Sequence, residues 1–186
     1  MRKLTFTLLL AVCFCLVLSS SRAGWNPFRR KYKRSGEENA QLFIKKLKKT
    51  DPGIKRIFDH AVGWAVFPSI GKAGVGIGGA GGNGKVYRKG ELIGTTTMTQ
   101  VSVGFQFGGQ IYSEIIFFQD DNTLNKFKNG KFELGANVSA VIFDEGVAKT
   151  LGFKDGTIVV VMPKKGIMYE ATVSGQKFTF KAKKKK

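Results

Sequence analysis

The spacing of apolar residues changes along the chain, and each change predicts a different element. Leu8 to Leu18 is an unbroken apolar run behind Arg2 and Lys3. Ala40, Phe43, Ile44 and Leu47 then follow the i, i+3, i+4, i+7 spacing of an amphipathic helix. Ser35, three residues before Glu38, gives that helix a capping-box start. Thr50-Asp51-Pro52 stops it and starts a second helix, with Asp51 as cap and Pro52 in the first turn. The second helix has Ile54, Ile57, Phe58 and Ala61 as its apolar stripe.

Beyond Gly63 the period falls to two. Trp64 to Pro68 is a short apolar run closed by proline, and three later stretches alternate. These are Ala73/Val75/Ile77/Gly79, Val101/Val103/Phe105/Phe107 and Phe132/Leu134/Ala136/Val138/Ala140. Alternation with one apolar face predicts half-buried strands. The unbroken runs Ile115 to Phe118 and Ile158 to Met162 predict strands covered on both faces. Asn83-Gly84 and Lys89-Gly90 read as tight turns between neighbouring strands. Asp120 reads as the cap of a short helix that Asn129-Gly130 ends. The fold class expected is α+β, mainly β: a twisted antiparallel Gly-rich sheet or partly closed barrel with amphipathic helices at the N-terminus.

Composition adds two features. Thirteen of the 24 glycines lie between Gly71 and Gly109. Glycine weakens a strand, so such a row marks the close approach of another backbone or of a ligand. A sheet face bare of side chains is expected there, suited to a packed helix, a second sheet, a second copy of the chain or an acyl chain. The other feature is charge. Lys+Arg 31 against Asp+Glu 13 gives +18, which favours anionic partners. It is concentrated at the ends: +8 over residues 24–56 and +6 over 177–186, against +1 over residues 57–176.

A charged start, an apolar middle and small Ser21 and Ala23 at its exit are the anatomy of a secretory signal peptide. The run is shorter than the roughly 17–25 residues of a membrane-spanning helix. Export to a periplasmic or secreted location is expected, with a body peripheral to membrane. The basic cluster Arg29 to Arg34 after the run leaves the alternative of an uncleaved anchor with a cytosolic domain. Cys13 and Cys15 both lie in the segment that cleavage removes, so no disulfide, zinc cluster or thiol nucleophile remains. The organisation expected is a signal peptide over 1–23, a basic aromatic linker over 24–34, a domain over 35–180 and a Lys-rich tail over 181–186.

The helix over 36–50 is the candidate membrane contact. Lys45, Lys46, Lys48 and Lys49 project away from the arc of Phe43, Ile44 and Leu47. Near an anionic membrane each basic residue contributes about 1 kcal/mol. Six engaged residues give roughly 6 kcal/mol, which is salt-sensitive recruitment without permanent anchoring. The other reading packs the same apolar arc on the domain core and leaves only the lysines to solvent. Periodicity alone leaves both open.

Enzyme signatures fail on context. Gly76 to Gly81 matches G-x-G-x-x-G with no helix after it to bind pyrophosphate, and Gly79 to Lys85 matches a P-loop whose Ser/Thr is replaced by Val86. His60 is the one histidine, and Asp120-Asp121 and Asp144-Glu145 serve as caps or turns without a metal. No nucleophile, base and orienting group come together, so no catalysis, metal or cofactor is expected. A polycation holds nucleic acid as well, yet no nucleic-acid fold is recognisable and export disfavours that partner.

Several blocks occur together in order. They are Val66-Phe67-Pro68-Ser69-Ile70-Gly71-Lys72, Gly104 to Gln110, Tyr112-Ser113-Glu114-Ile115-Ile116-Phe117-Phe118, and Phe132 to Ala136. In these blocks the chain resembles the SYLF domain, over about residues 51–176. The resemblance implies a phospholipid or phosphoinositide binder without catalysis, using a basic amphipathic N-terminal helix on membrane. That role falls here on Phe43, Ile44, Leu47 and the lysines at 45, 46, 48 and 49. Some eukaryotic members bind actin, a partner implied here only for a cytosolic chain. Ser69, Gly71, Lys72, Tyr112, Ser113 and Glu114 belong to the motif without a chemical role that the resemblance supplies.

Overall fold

The computed structural model describes residues 35–132 and 140–184. The chain divides after Lys33, and all described residues lie in the unit Arg34–Lys186. The apolar run, the exit sequence and the basic aromatic linker fall outside the described residues, as do residues 133–139 of the expected strand after Phe132.

Helix α1 (Gly36–Thr50) starts at Ser35, whose hydroxyl accepts from the Glu38 amide at 3.0 Å. Asp51 ends it and caps a 3-10 turn over Pro52–Ile54, accepting from the Gly53 amide at 2.8 Å. Helix α2 (Lys55–His60) follows. The second carboxylate oxygen of Asp51 accepts from the Ala148 amide at 2.8 Å, tying the helix corner to a distant loop. Arg56 reinforces that tie by donating to the Ala148 and Leu151 carbonyls.

Three long strands form the body: β1 (Gly63–Arg88), β2 (Glu91–Phe118) and β4 (Thr157–Ala182). A two-residue strand, β3 (Val141–Ile142), completes the order β1-β2-β4-β3, with only β3 and β4 parallel. Helix α3 (Asp121–Lys128) starts at Asp120, which accepts from the Thr123 amide at 2.8 Å. Lys89 and Gly90 join β1 to β2 with φ of 49° and 86°. Positive φ at both central residues is the turn whose twist matches antiparallel strands.

Two expected breaks in β1 are absent. Pro68 does not end the strand: it sits at a register shift between Phe67 and Ile70, where the ladder tolerates a missing amide donor. Asn83-Gly84 is not a turn; Asn83 pairs with Thr97 and Gly84 with Thr96 in an uninterrupted ladder. Long-range pairing overrides the local turn preference.

Straight strands of this length would run roughly 85–95 Å at about 3.3 Å per residue. Instead the sheet bends sharply in mid-strand and folds onto itself. A Cβ on Gly74 would stand 2.6 Å from the Gly78 Cα, whereas four residues of straight strand span roughly 13 Å. On β2 the same bend lets the Ser102 hydroxyl reach the Gln106 side-chain oxygen at 2.8 Å. Gly76 and Gly104, at φ 71° and 139°, take the backbone through it. The two ends of β1 then meet: the Lys89 amide donates to the Val62 carbonyl, and the Trp64 and Tyr87 rings stack 6.1 Å apart.

Folding the sheet creates two cores. Between its halves, Phe67, Phe118, Phe127, Phe132 and Phe178 form an aromatic cluster with neighbouring centroids 4.9–5.8 Å apart. On the outer side of the first half, α1 and α2 pack on Trp64, Val66, Ile115, Phe117, Ile158 and Val160. The first half is therefore covered on both faces, as the unbroken apolar runs predict. The sheet remains open, and α3 packs against β4 and β2.

Near the bend the expected burial is inverted. Val75, Ile77, Val101, Val103, Phe105 and Phe107 face outward and are 59–74% exposed. The buried positions are Ser102 and Gln106, packed on Gly74 and Gly78. A sheet bent this sharply has no room for branched side chains on its concave side, so the glycine side goes in and the apolar side out. The glycine row thus marks the close approach of the strand's own backbone.

A basic face and a bent-sheet crest

Helix α1 presents two unlike sides. Phe43, Ile44 and Leu47 are buried in the core beside Ala40. This corrects the expectation that they are available to lipid: the same arc fits the apolar outer side of the first half-sheet. Lys45, Lys46, Lys48 and Lys49 are all exposed. The Lys48 ammonium lies over the Phe58 ring, 4.7 Å from its centroid, in a cation–π contact. The helix therefore carries four cations on a rigid support.

The basic surface continues onto β4. The Lys164 ammonium donates to the Pro68 carbonyl, and its partial burial, with the Lys46 charge beside it, holds its pKa below the usual lysine range. Lys165, the next residue, is exposed and pairs with Ile111. A fold that keeps Lys46 and Lys164 near each other maintains a repulsion that a bound anion would relieve.

The motif residues separate into distinct structural roles. The Ser113 hydroxyl donates to the Pro68 carbonyl at 2.7 Å in a buried site, so Ser113 and Lys164 together pin the irregular stretch of β1. Ser69 is exposed on a polar recess shared with Asn39, Asn83, Lys85 and Thr97. Gly71 is exposed beside an open groove that Lys72 and Lys165 also line. Lys72 and Tyr112 are buried.

Glu114 is fully buried, facing the interior of the folded sheet near Gln176. Burial pushes its pKa up to about 7, with the Gln176 hydrogen bond opposing the rise. Its Oε1 has no hydrogen-bond partner among the described residues. Gln176 in turn donates to Gln100 at 3.0 Å. These groups and the Ser102–Gln106 pair form a polar layer between the bend and the aromatic core.

Among the described residues no group of three or more metal-ligating side chains occurs, and no helix is long and apolar enough to cross a membrane. His60 sits at the end of α2 with its Nδ1 2.7 Å from the Arg56 carbonyl. Both glycine-rich near-motifs run along β1 with no helix following them.

Residues 99–186 match a family described as Ysc84, Las17-binding protein actin regulator. These residues are similar to the Ysc84-type, or SYLF, domain. The match begins on β2 ahead of the bend, contains Tyr112-Ser113-Glu114, α3 and β4, and leaves α1 outside it. The chain is also 26% identical over 139 residues to Beta cell expansion factor A of Aeromonas veronii, covering 75% of this chain and 53% of that protein. It therefore spans about half the length of this curated relative. The SYLF family is associated with lipid and actin binding. The geometry supplies what the motif alone did not: Ser113 is a brace for the bent strand, and Glu114 is an interior acid.

Proposed function

We propose that this SYLF-like protein is a non-catalytic module that binds anionic phospholipid, phosphoinositide included, as a peripheral protein exported to the periplasm or beyond the cell. The observation that carries this reading is the lysine row at 45, 46, 48 and 49 on a helix locked to the core by Phe43, Ile44 and Leu47. Docking is by charge: each lysine near an anionic surface contributes about 1 kcal/mol, so four give roughly a thousandfold preference over a neutral one. The lysines of the C-terminal tail and of the segment before α1 add to the same attraction. The adjoining Lys46 and Lys164 supply the place where an anionic headgroup gains most. Export rests on the signal-peptide pattern of residues 1–23.

The reading is tested by co-sedimentation of the protein with neutral and with anionic vesicles at low and high salt. Preferential binding to anionic vesicles, weakened by salt, is expected. Equal binding to both compositions at low salt contradicts it.

A further inference from the structure

The bend in the sheet produces a surface that charge-driven docking does not use. Val75 and Ile77 on β1 stand opposite Phe107 and Val103 on β2, so they share one outward face with Val101 and Phe105. Six large apolar side chains are exposed together on the convex side of a ridge braced from within by Ser102 and Gln106. A soluble surface rarely leaves such a patch uncovered unless it meets a partner.

The frame of the ridge identifies the partner. On β4 the ridge is bounded by Lys165, opposite Ile111, and by Lys177, opposite Thr99. Both lysines are exposed and lie on the outward face. An apolar summit with cations at its margins complements a layer whose surface is anionic and whose interior is hydrocarbon. A second copy is a poor fit: apposed ridges would bring the lysine margins together in a chain of net charge +18, and two convex surfaces cover little of each other. A lipid layer has no fixed shape and closes around a convex ridge.

We infer that this crest is a bilayer-insertion site, with Phe105 and Phe107 entering the acyl region and Lys165 and Lys177 remaining at the headgroups. The inference rests on the anionic-membrane reading above and adds a second contact to it. Lysine docking weakens with salt. Apolar insertion survives it. Residual vesicle binding at high salt therefore belongs to the crest. The bend gives the crest its depth, because the apolar residues of neighbouring strands rise at the same place.

The test uses the full chain and vesicles containing phosphatidylglycerol. In the Phe105→Trp variant, compared with the wild-type signal from Trp25 and Trp64, added vesicles shift the extra emission to the blue, and lipids brominated on the acyl chain quench it. The Phe105→Ser/Phe107→Ser variant keeps its low-salt binding within about threefold and loses at least tenfold at high salt. Both substitutions are at exposed positions, and an unchanged unfolding midpoint checks that the fold is kept. Wild-type binding with no blue shift or quenching overturns the crest and leaves lysine docking intact. Emission that is already blue without vesicles also overturns it, because the ridge is then covered by this chain or by a second copy. Absence of wild-type binding at low salt overturns both readings.

Discussion

Glu114 is the residue on which pH acts most directly. Its folded pKa, about 7, lies above the ordinary glutamate value of 4.5 because burial disfavours the charged form. Between those values the unfolded chain loses the proton and the folded chain keeps it. The favourable contribution is full below about pH 4.5 and is lost as pH rises through 7. The loss is on the order of 3 kcal/mol at about 1.4 kcal/mol per pKa unit. Denaturant unfolding from pH 4 to 8 should show this decline in the wild type and a flatter profile in Glu114→Gln. Parallel profiles would contradict the assignment. Two glycines give a second residue-scale prediction. A Cβ on Gly84 would stand 2.6 Å from the Val66 carbonyl oxygen, so Gly84→Ala should cost about 1–3 kcal/mol. Gly71 has nothing within 4 Å of the added atom, so Gly71→Ala should fall within about 0.5 kcal/mol of wild type. Equal unfolding midpoints for the two variants would refute the self-packing of β1. The glycine row advertised a close approach, but only the fold reveals that the approaching backbone belongs to the same strand.

At the scale of elements, α1 was legible because its signals are local: the Ser35 cap, the Asp51 stop and a 3.6-residue period. Whether its apolar arc meets lipid or the core was not readable, because the period marks a face without naming what covers it. The fold answers with Leu47 fully buried among Ile54, Phe58 and the sheet. Leu47→Ala should therefore destabilise by about 2–5 kcal/mol in thermal or denaturant unfolding. A variant with unchanged stability and impaired vesicle binding would instead place Leu47 at the lipid. The strands were harder to read. Alternation states that two faces differ, not which faces water, so Phe105 and Phe107 were assigned to the inside and lie outside. Pro68 and Asn83-Gly84 carry turn preferences that the β1–β2 ladder overrules. Lys89-Gly90 was readable because a two-residue hairpin needs little beyond its own dihedrals. The insertion site escaped sequence reading for the same reason the bend did: apolar positions become a crest only after the β1–β2 ladder brings them level.

The whole molecule separates charge from apolar contact. Between Ile57 and Gln176 the chain carries +1, and the surplus of +18 lies mostly toward its two ends. Helix α1 turns part of that surplus into a fixed row, and Lys164 and Lys165 extend it toward the crest. In the docking proposed here, such a distribution draws the protein in by long-range attraction before any apolar side chain is engaged. The central claim is that the lysines of α1, without its buried arc, make the first contact. The most direct test is the affinity of the full chain for phosphatidylglycerol vesicles at low salt, compared with Lys45→Gln/Lys46→Gln/Lys48→Gln/Lys49→Gln. These exposed substitutions should cost no more than about 1 kcal/mol of stability, that of the Lys48–Phe58 contact, and lower affinity at least tenfold, toward an upper bound of about a thousandfold at roughly 1 kcal/mol per lysine. Undiminished binding by the quadruple variant would contradict the account and remove α1 from the membrane contact.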